Sequence, residues 1–247
     1  MCYAVFMNNL LSIGQAAEQL GVDMSTLRRW DKSGRLKANR SRGGHRYYRQ
    51  DDLTSFLLTF DLAKIALSWA TTVKPYNPPS IFYCQTSSIF QARLQRLESE
   101  LLKIPKYKDS FSLITSSSGE IGNNSFDHNI GQWPDIPGIF FAYNINKRQI
   151  VLADRGQGVL NTLKRVRPNL INDQDALMVA FTEYISGRAP ENRGNGLKWV
   201  RENIVNNDFK LLFLSGIAQL KLKKGDTKLN ININKKAVKG CLAIIYF

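Results

Sequence analysis

Glu120, Asn124 and His128 stand at intervals of four in the run GEIGNNSFDHN, 119–129. On a helix, residues i and i+4 share a face. The run therefore predicts a carboxylate, an amide and an imidazole looking into one site. Two glycine-containing motifs follow it. Asp154-Arg155-Gly156-Gln157-Gly158 comes directly after a predicted strand at 149–153. A carboxylate at a strand's end can accept a hydrogen bond from a base amine, and Gly156 and Gly158 let backbone approach a ligand closely. Arg193-Gly194-Asn195-Gly196-Leu197 then leads into a predicted helix at 198–203. Glycine-rich backbone at a helix N-terminus is a phosphate site. Arg188, Arg193 and Lys198 add positive charge nearby. Taken in order, the three motifs point to a nucleotide pocket.

The elements that must position these residues are legible in outline. Helical spacing predicts a helix at about 110–129. Strands at 139–143 and 149–153 flank a turn at 144–147. Closing strands are expected at 210–216, 227–234 and 241–247. In the second of these, Leu229, Ile231 and Ile233 alternate with Asn230, Asn232 and Asn234, the period of two that a half-buried strand requires. Upstream, 80–85 reads as a short strand. Phe90, Leu94, Leu97 and Leu101 follow at 4, 3, 4 spacing, which fits a helix packed on its own sheet or a dimerisation helix.

The three motifs in this order resemble the GHKL superfamily, which includes gyrase-type ATPases, the large heat-shock chaperones, sensor histidine kinases and mismatch-repair ATPases. The resemblance covers about 80–247. It implies a Bergerat-type α/β sandwich, a mixed sheet with helices on one face, that binds ATP and Mg2+. By that resemblance Asn124 would ligate the magnesium, and Glu120 would orient or deprotonate the attacking water in a hydrolysing member. Asp154 would hold the adenine amine, with Gly156 and Gly158 shaping that end of the pocket. Gly194 and Gly196 would give the phosphate turn, with Arg193 and Lys198 as nearby positive charge. Residues 159–192 would be a mobile lid, with Phe181 packed beneath it. His128 is left between phosphate contact and helix packing. Kinases of the superfamily often carry a further glycine where this chain has Lys198. No second histidine-bearing helix offers a phosphoacceptor, so histidine autophosphorylation is not expected. Phosphoryl transfer to serine on a protein partner stays open.

The other end of the chain reads differently. Ser12-Ile13-Gly14-Gln15 has the form of a capping box, and Ala16, Ala17 and Leu20 continue at helical spacing. Gly21-Val22-Asp23 interrupts, and a second helix spans 24–32 with Leu27 and Trp30 facing inward. Gly43-Gly44 marks a tight turn between two short extended stretches rich in Arg and Tyr. IGQAAEQLGV, STLRRWDKSGRL and GGHRYY resemble the winged helix-turn-helix of MerR-type regulators, closest to the excisionase-like branch, over about 12–57. That resemblance implies a double-stranded DNA partner. Ser25, Thr26, Arg28 and Arg29 would face bases or nearby phosphates. Arg40, Arg42, His45, Arg46 and Tyr47 would sit on the wing. One of Tyr47 and Tyr48 should be core, because strand neighbours point to opposite faces. MerR-type proteins usually dimerise through a helix after the head, so a homodimer is expected, although no long coiled coil is present.

The 247-residue chain carries a formal charge of +14. Nine basic residues against Asp31 give +8 in 28–50, and seven lysines against Asp226 give +6 in 221–239; the remainder balances. Charge confined to two blocks points to local anion-binding surfaces. For the second block, which lacks aromatic residues, a solvated charged face is the competing reading. Three scattered cysteines fit neither a disulfide framework nor a zinc site, so a reducing, cytoplasmic setting is expected. No apolar run approaches the ~20 residues that span a bilayer, and no membrane role is expected. The apolar start, MCYAVFMNNLL, lacks the basic region of a signal peptide and reads as a short tail, with Met7 an alternative start.

The expected architecture is α+β: a winged helix-turn-helix at 8–72, a Pro-rich linker at 73–80 with Lys74-Pro75-Tyr76-Asn77-Pro78-Pro79, and an ATP-binding domain at 81–247. Helical patterning from 52 to about 70 is read as part of the head. The leading function is a nucleotide-responsive DNA-binding regulator. The alternatives are an ATPase or protein serine kinase delivered to DNA by the head, and a mobile-element or defence accessory protein that binds DNA.

Overall fold

The computed structural model describes residues 10–184 and 195–247, apart from the side chain of Leu58. Arg188, Arg193 and Gly194 lie outside the described residues. The architecture is α+β, and the chain forms two compact units. One comprises residues up to 61 with 77–83, and the other comprises 62–76 with 84–247.

In the first unit, Leu10–Ser12 (β1) leads into Ile13–Leu20 (α1). The Ser12 hydroxyl accepts from Gln15 N–H while the Gln15 side chain reaches back to Ser12, so the capping box forms as expected. Met24–Lys32 (α2) follows, then Asn39–Arg40 (β2), Arg46–Arg49 (β3) and Gln50–Leu58 (α3). The strands form an antiparallel sheet in the order β1-β3-β2. Ala16, Ala17, Leu20, Leu27, Leu36, Tyr48, Leu53, Leu57 and Phe82 are among the buried residues of this unit. Tyr48 is the core member of the tyrosine pair, and its hydroxyl donates to the Leu27 carbonyl.

The helical pattern after residue 50 does not make one helix of the head. It breaks at 59–61, and Leu62–Thr71 (α4) belongs to the second unit. Leu62, Ala66, Trp69 and Ala70 are buried along one face of α4. The Trp69 indole N–H donates to Tyr76 O at 2.8 Å, which folds the first half of the expected linker back onto this helix. The structure thus divides the chain differently from the 8–72, 73–80 and 81–247 partition, because the apolar stripe of α4 is satisfied by the large sheet.

That sheet has the order β4-β5-β6-β8-β7, built from Tyr83–Cys84 (β4), Ile139–Asn144 (β5), Gln149–Asp154 (β6), Lys210–Lys223 (β7) and Asn230–Tyr246 (β8). The β5·β6, β6·β8 and β7·β8 pairings are all antiparallel. Three closing strands were expected, and there are two long ones. Register shifts at Ser215, Gly216 and Ala218 absorb the residues that interrupt the alternation.

Directly opposed residues share a sheet face. One face carries Phe141, Leu152, Ala243 and Phe213, and the other Phe140, Ala153, Leu242 and Leu214. Ser87–Leu102 (α5), Phe111–Asn129 (α6), Gly158–Lys164 (α7), Asp173–Thr182 (α8) and Gly196–Asn206 (α9) complete the unit. On the first face, Phe90 of α5 meets Phe141 at 5.1 Å and Phe181 of α8 meets Phe213 at 5.2 Å. On the second, Trp69 of α4 lies 6.4 Å from Phe140, and α4 packs against β6 and β8. The expectation of helices on one face is corrected: α4 covers the other. Phe90, Leu97 and Leu101 are buried in the core beneath α5, with Leu94 packed against it, so its 4, 3, 4 stripe serves the protein's own interior.

Candidate functional site

The helix α6 is the wall on which the site is built. It carries Glu120, Asn124 and His128 on one face, as the spacing predicts, and Ser125 and Asn129 one position further round. Its two halves meet two different segments of backbone.

At the first, Asp154 ends β6. The Ser125 hydroxyl donates to Asp154 Oδ2 and the Gly156 N–H to Oδ1, both at 2.8 Å. Asp154 is 2 % exposed. Burial pushes its carboxyl up to about 6, against the opposing pull of the Gly156, Ser125 and Cys241 donors. The turn that follows is tied to the C-terminal end of α6. Asn129 accepts from Gln157 N–H at 2.8 Å and donates to Ser125 O at 2.7 Å. A Cβ on Gly156 would lie 2.2 Å from Asn129 Nδ2. The close approach expected of Gly156 is therefore an approach to the protein's own amide. Gly158 has φ +73°, a left-handed conformation suited to glycine. It opens α7, where Ser215 Oγ accepts from Val159 N–H at 2.9 Å.

At the second, α9 begins at Gly196 with no side-chain cap. A Cβ on Gly196 would stand 2.4 Å from Glu120 Oε2 and 3.5 Å from Asn124 Nδ2. The sequence-distant glycine thus meets two of the three residues of the α6 face. Among the described residues, neither Glu120 nor Asn124 has a hydrogen-bond or ion-pair partner. The start of a helix, beside an uncommitted amide and carboxylate, can hold a cation–anion pair.

His128 is half-buried. Burial, and then the charge of Arg165, hold its imidazole below its ordinary pKa. Lys198 turns elsewhere: its ammonium donates to Glu183 O and lies 4.8 Å from the Tyr184 ring centroid. Within the stretch expected to be a lid, α8 is a packed layer. Phe181 is fully buried on the sheet, and Asp173 accepts from Ile217 N–H at 2.9 Å.

Sequence reasoning passed over Arg155, the charged residue between Asp154 and Gly156. It is fully buried. Its guanidinium bonds both oxygens of Asp135, with Nη2 at 2.7 Å from Oδ2. It also donates to the carbonyls of Trp69 and Thr72 at the C-terminal end of α4. Lys239 shares Asp135 at 3.2 Å. Asp135 opposes its own desolvation with these partners and titrates below the usual range. Ser125 and Asn129 were also missed, although their own spacing of four is a signal of the same kind as Asn124 and His128.

The head presents Ser25, Arg28 and Arg29 to solvent on α2, with Thr26 half-buried beside them. Arg42 and His45 are exposed on the wing, and Tyr47 is half-buried there. Arg40 and Arg46 are held by Asp31 Oδ2 at 2.8 and 2.7 Å, while Asp31 Oδ1 accepts from Ala38 N–H. That backbone bond, then Arg46, keep Asp31 below the usual carboxylate range. Both arginines therefore fasten the wing to α2, with part of their charge neutralised. Trp30 is covered by Phe56 and by the Arg35 guanidinium, 4.9 Å from its ring.

Among the described residues, no group of three His, Cys, Asp or Glu side chains is placed to hold a metal ion. No single helix there is long and apolar enough to cross a membrane. No curated protein matches the chain. Residues 12–48 match the MerR family regulatory protein model, and they form a MerR-like winged helix-turn-helix.

Proposed function

We propose that this protein is a nucleotide-responsive DNA-binding regulator. Its head would bind duplex DNA through α2 and the wing, and its second unit would be a GHKL-type domain that takes ATP with Mg2+. The observation that carries the nucleotide reading is the double engagement of α6. One half meets a buried carboxylate at a strand end, and the other meets a glycine at an uncapped helix start. Glu120 and Ser125, the α6 residues that meet them, are five residues apart, so these points are separated by about 7–8 Å along the helix. An elongated ligand with an amine at one end and an anion at the other fits that spacing of chemistry.

Magnesium usually takes one or two protein oxygens, with phosphates and water supplying the rest. The uncommitted Asn124 amide meets that need without a three-residue cluster, and the bound ion would neutralise phosphate charge. Asp154 would accept from the base amine, and the N–H groups at the start of α9 would receive the phosphates. Coupling to the head has a physical route. Arg155 sits between two pocket residues and grips the end of α4, the helix joined to the last helix of the head through 59–61. Movement of the 154–158 turn would reach α4 through that grip. A ligand shifts such an equilibrium only by its differential affinity for the two states. The test is DNA affinity with and without ATP-Mg, beside direct ATP-Mg binding to the full chain and to its Asn124→Ala and Asp154→Ala variants. Nucleotide binding that survives both substitutions would overturn the pocket, and DNA binding indifferent to nucleotide would overturn the coupling.

A second reading, ATPase or serine kinase, is favoured by the position of Glu120 against Gly196, with no competing partner among the described residues. A carboxylate so placed can orient water or accept a hydroxyl proton.

A further inference from the structure

The hairpin of β7 and β8 projects a basic face that the nucleotide reading leaves unused. Leu220 and Leu222 point into the core, so Lys221 and Lys223 point out. Across the ladder Asn230 opposes Lys221 and Asn232 opposes Gln219, on the same outer face. Lys224 and Lys228 stand exposed in the connecting turn. Lys235 and Lys236 stand exposed where the register slips between Ile233 and Val238. Among the described residues none of these six lysines has an ion-pair partner. Asp226, the one acid of the block, accepts from Lys223 N–H at 2.9 Å and is spent inside the turn.

We propose that this outer hairpin face is a second surface for the phosphate backbone of duplex DNA, separate from the winged helix-turn-helix. The charge complements a polyanion. The interleaved groups are Gln219, Asn230 and Asn232, neutral donors of the kind that bond phosphate oxygens. The outward positions at 219, 221, 223, 230 and 232 carry no apolar side chain to enter a lipid surface and no aromatic to stack on a base, while the exposed Ile217 and Ile233 lie at the register slip beyond them. A two-stranded ribbon with lysines at alternate positions follows a phosphate strand without reading sequence. The inference rests on the head's DNA reading only for the choice of polyanion, and not on ATP.

The experiment uses the full chain and a random-sequence duplex, with binding followed by fluorescence anisotropy across a salt series. Lys221→Gln, Lys223→Gln and Lys228→Gln together should make the slope of log K against log salt shallower by about 2–3, at ~0.9 per phosphate contact. A second variant disables the head with Arg28→Ala, Arg29→Ala and Arg42→Ala. It should keep low-salt binding to the random duplex, and adding the three lysine substitutions should remove it. An unchanged slope together with unchanged residual binding overturns the proposal. So does a lysine variant that loses adhesion to phosphatidylglycerol vesicles while binding duplex normally. Failure of the head reading looks different: the head substitutions then leave the intact chain's DNA binding unaltered.

Discussion

Among the described residues, Arg155 and Asp135 form the most deeply placed ion pair of the second unit, with the guanidinium fully buried and the carboxylate near the surface. The two partners are not equivalent. Asp135 keeps Lys239 when Arg155 is removed, whereas Arg155 keeps the Trp69 and Thr72 carbonyls and the Trp69 ring, but no counter-ion among the described residues, when Asp135 is removed. A buried charge left without its counter-ion costs about 3–5 kcal/mol. Asp135→Ala should therefore destabilise by about that amount, and Arg155→Met by about half as much. Urea unfolding of both variants checks the order, and equal losses would show that the pair is not the source.

Asn129 occupies the volume that a side chain at residue 156 would need. Gly156→Ala should cost about 1–3 kcal/mol, the usual penalty for overpacking, because Asn129 is fixed at both ends and cannot swing aside. In the Asn129→Ala background the same change should cost much less. Additive losses in that double-mutant cycle would mean that the two residues do not compete for space.

These contacts mark where sequence reading succeeded and where it stopped. The α6 face, the β5–β6 hairpin and the capping box are local patterns of period or spacing, and they formed as expected. The place of α4 was not legible. Its apolar stripe shows that one face is buried, but nothing in it says which surface receives that face. The role of Arg155 was not legible, since its partners lie 20 residues upstream in Asp135 and 86 upstream in Trp69. The closing strands expected at 210–216, 227–234 and 241–247 were too short, because the register shift near Gly216, which lets the ladder continue, is set by the partner strand and not by the local pattern.

Asp154 predicts a pH dependence of defined sign. Its folded carboxyl is raised to about 6, so the folded state holds the proton more tightly than the unfolded state. Stability should fall as pH rises from about 4 to 6, by about 1–3 kcal/mol. His128, held low, contributes the opposite slope as pH approaches its ordinary value. The contribution of Asp154 is therefore isolated by comparison with Asp154→Asn, whose stability curve should lack the decline. Parallel curves for the two proteins across that window would refute the assignment. If the carboxylate accepts from a base amine, ATP affinity should also weaken below about pH 6.

Glu120 and Gly196 allow the phosphate end of the pocket to be tested apart from folding. A Cβ at 196 would meet only the tip of the Glu120 side chain at short range, and that tip can rotate away. Gly196→Ala should thus leave the melting temperature nearly unchanged while displacing the carboxylate and narrowing the approach to the first N–H groups of α9. ATP-Mg binding should weaken by roughly tenfold, about 1.4 kcal/mol. Glu120→Ala should instead leave nucleotide binding largely intact and abolish any turnover, because it removes a proton acceptor and no phosphate donor. In the double variant the steric part of the Gly196→Ala loss should be recovered, since the carboxylate that was displaced is gone. Single-turnover hydrolysis beside equilibrium binding separates the two effects, and turnover that persists in Glu120→Ala would remove Glu120 from any catalytic role.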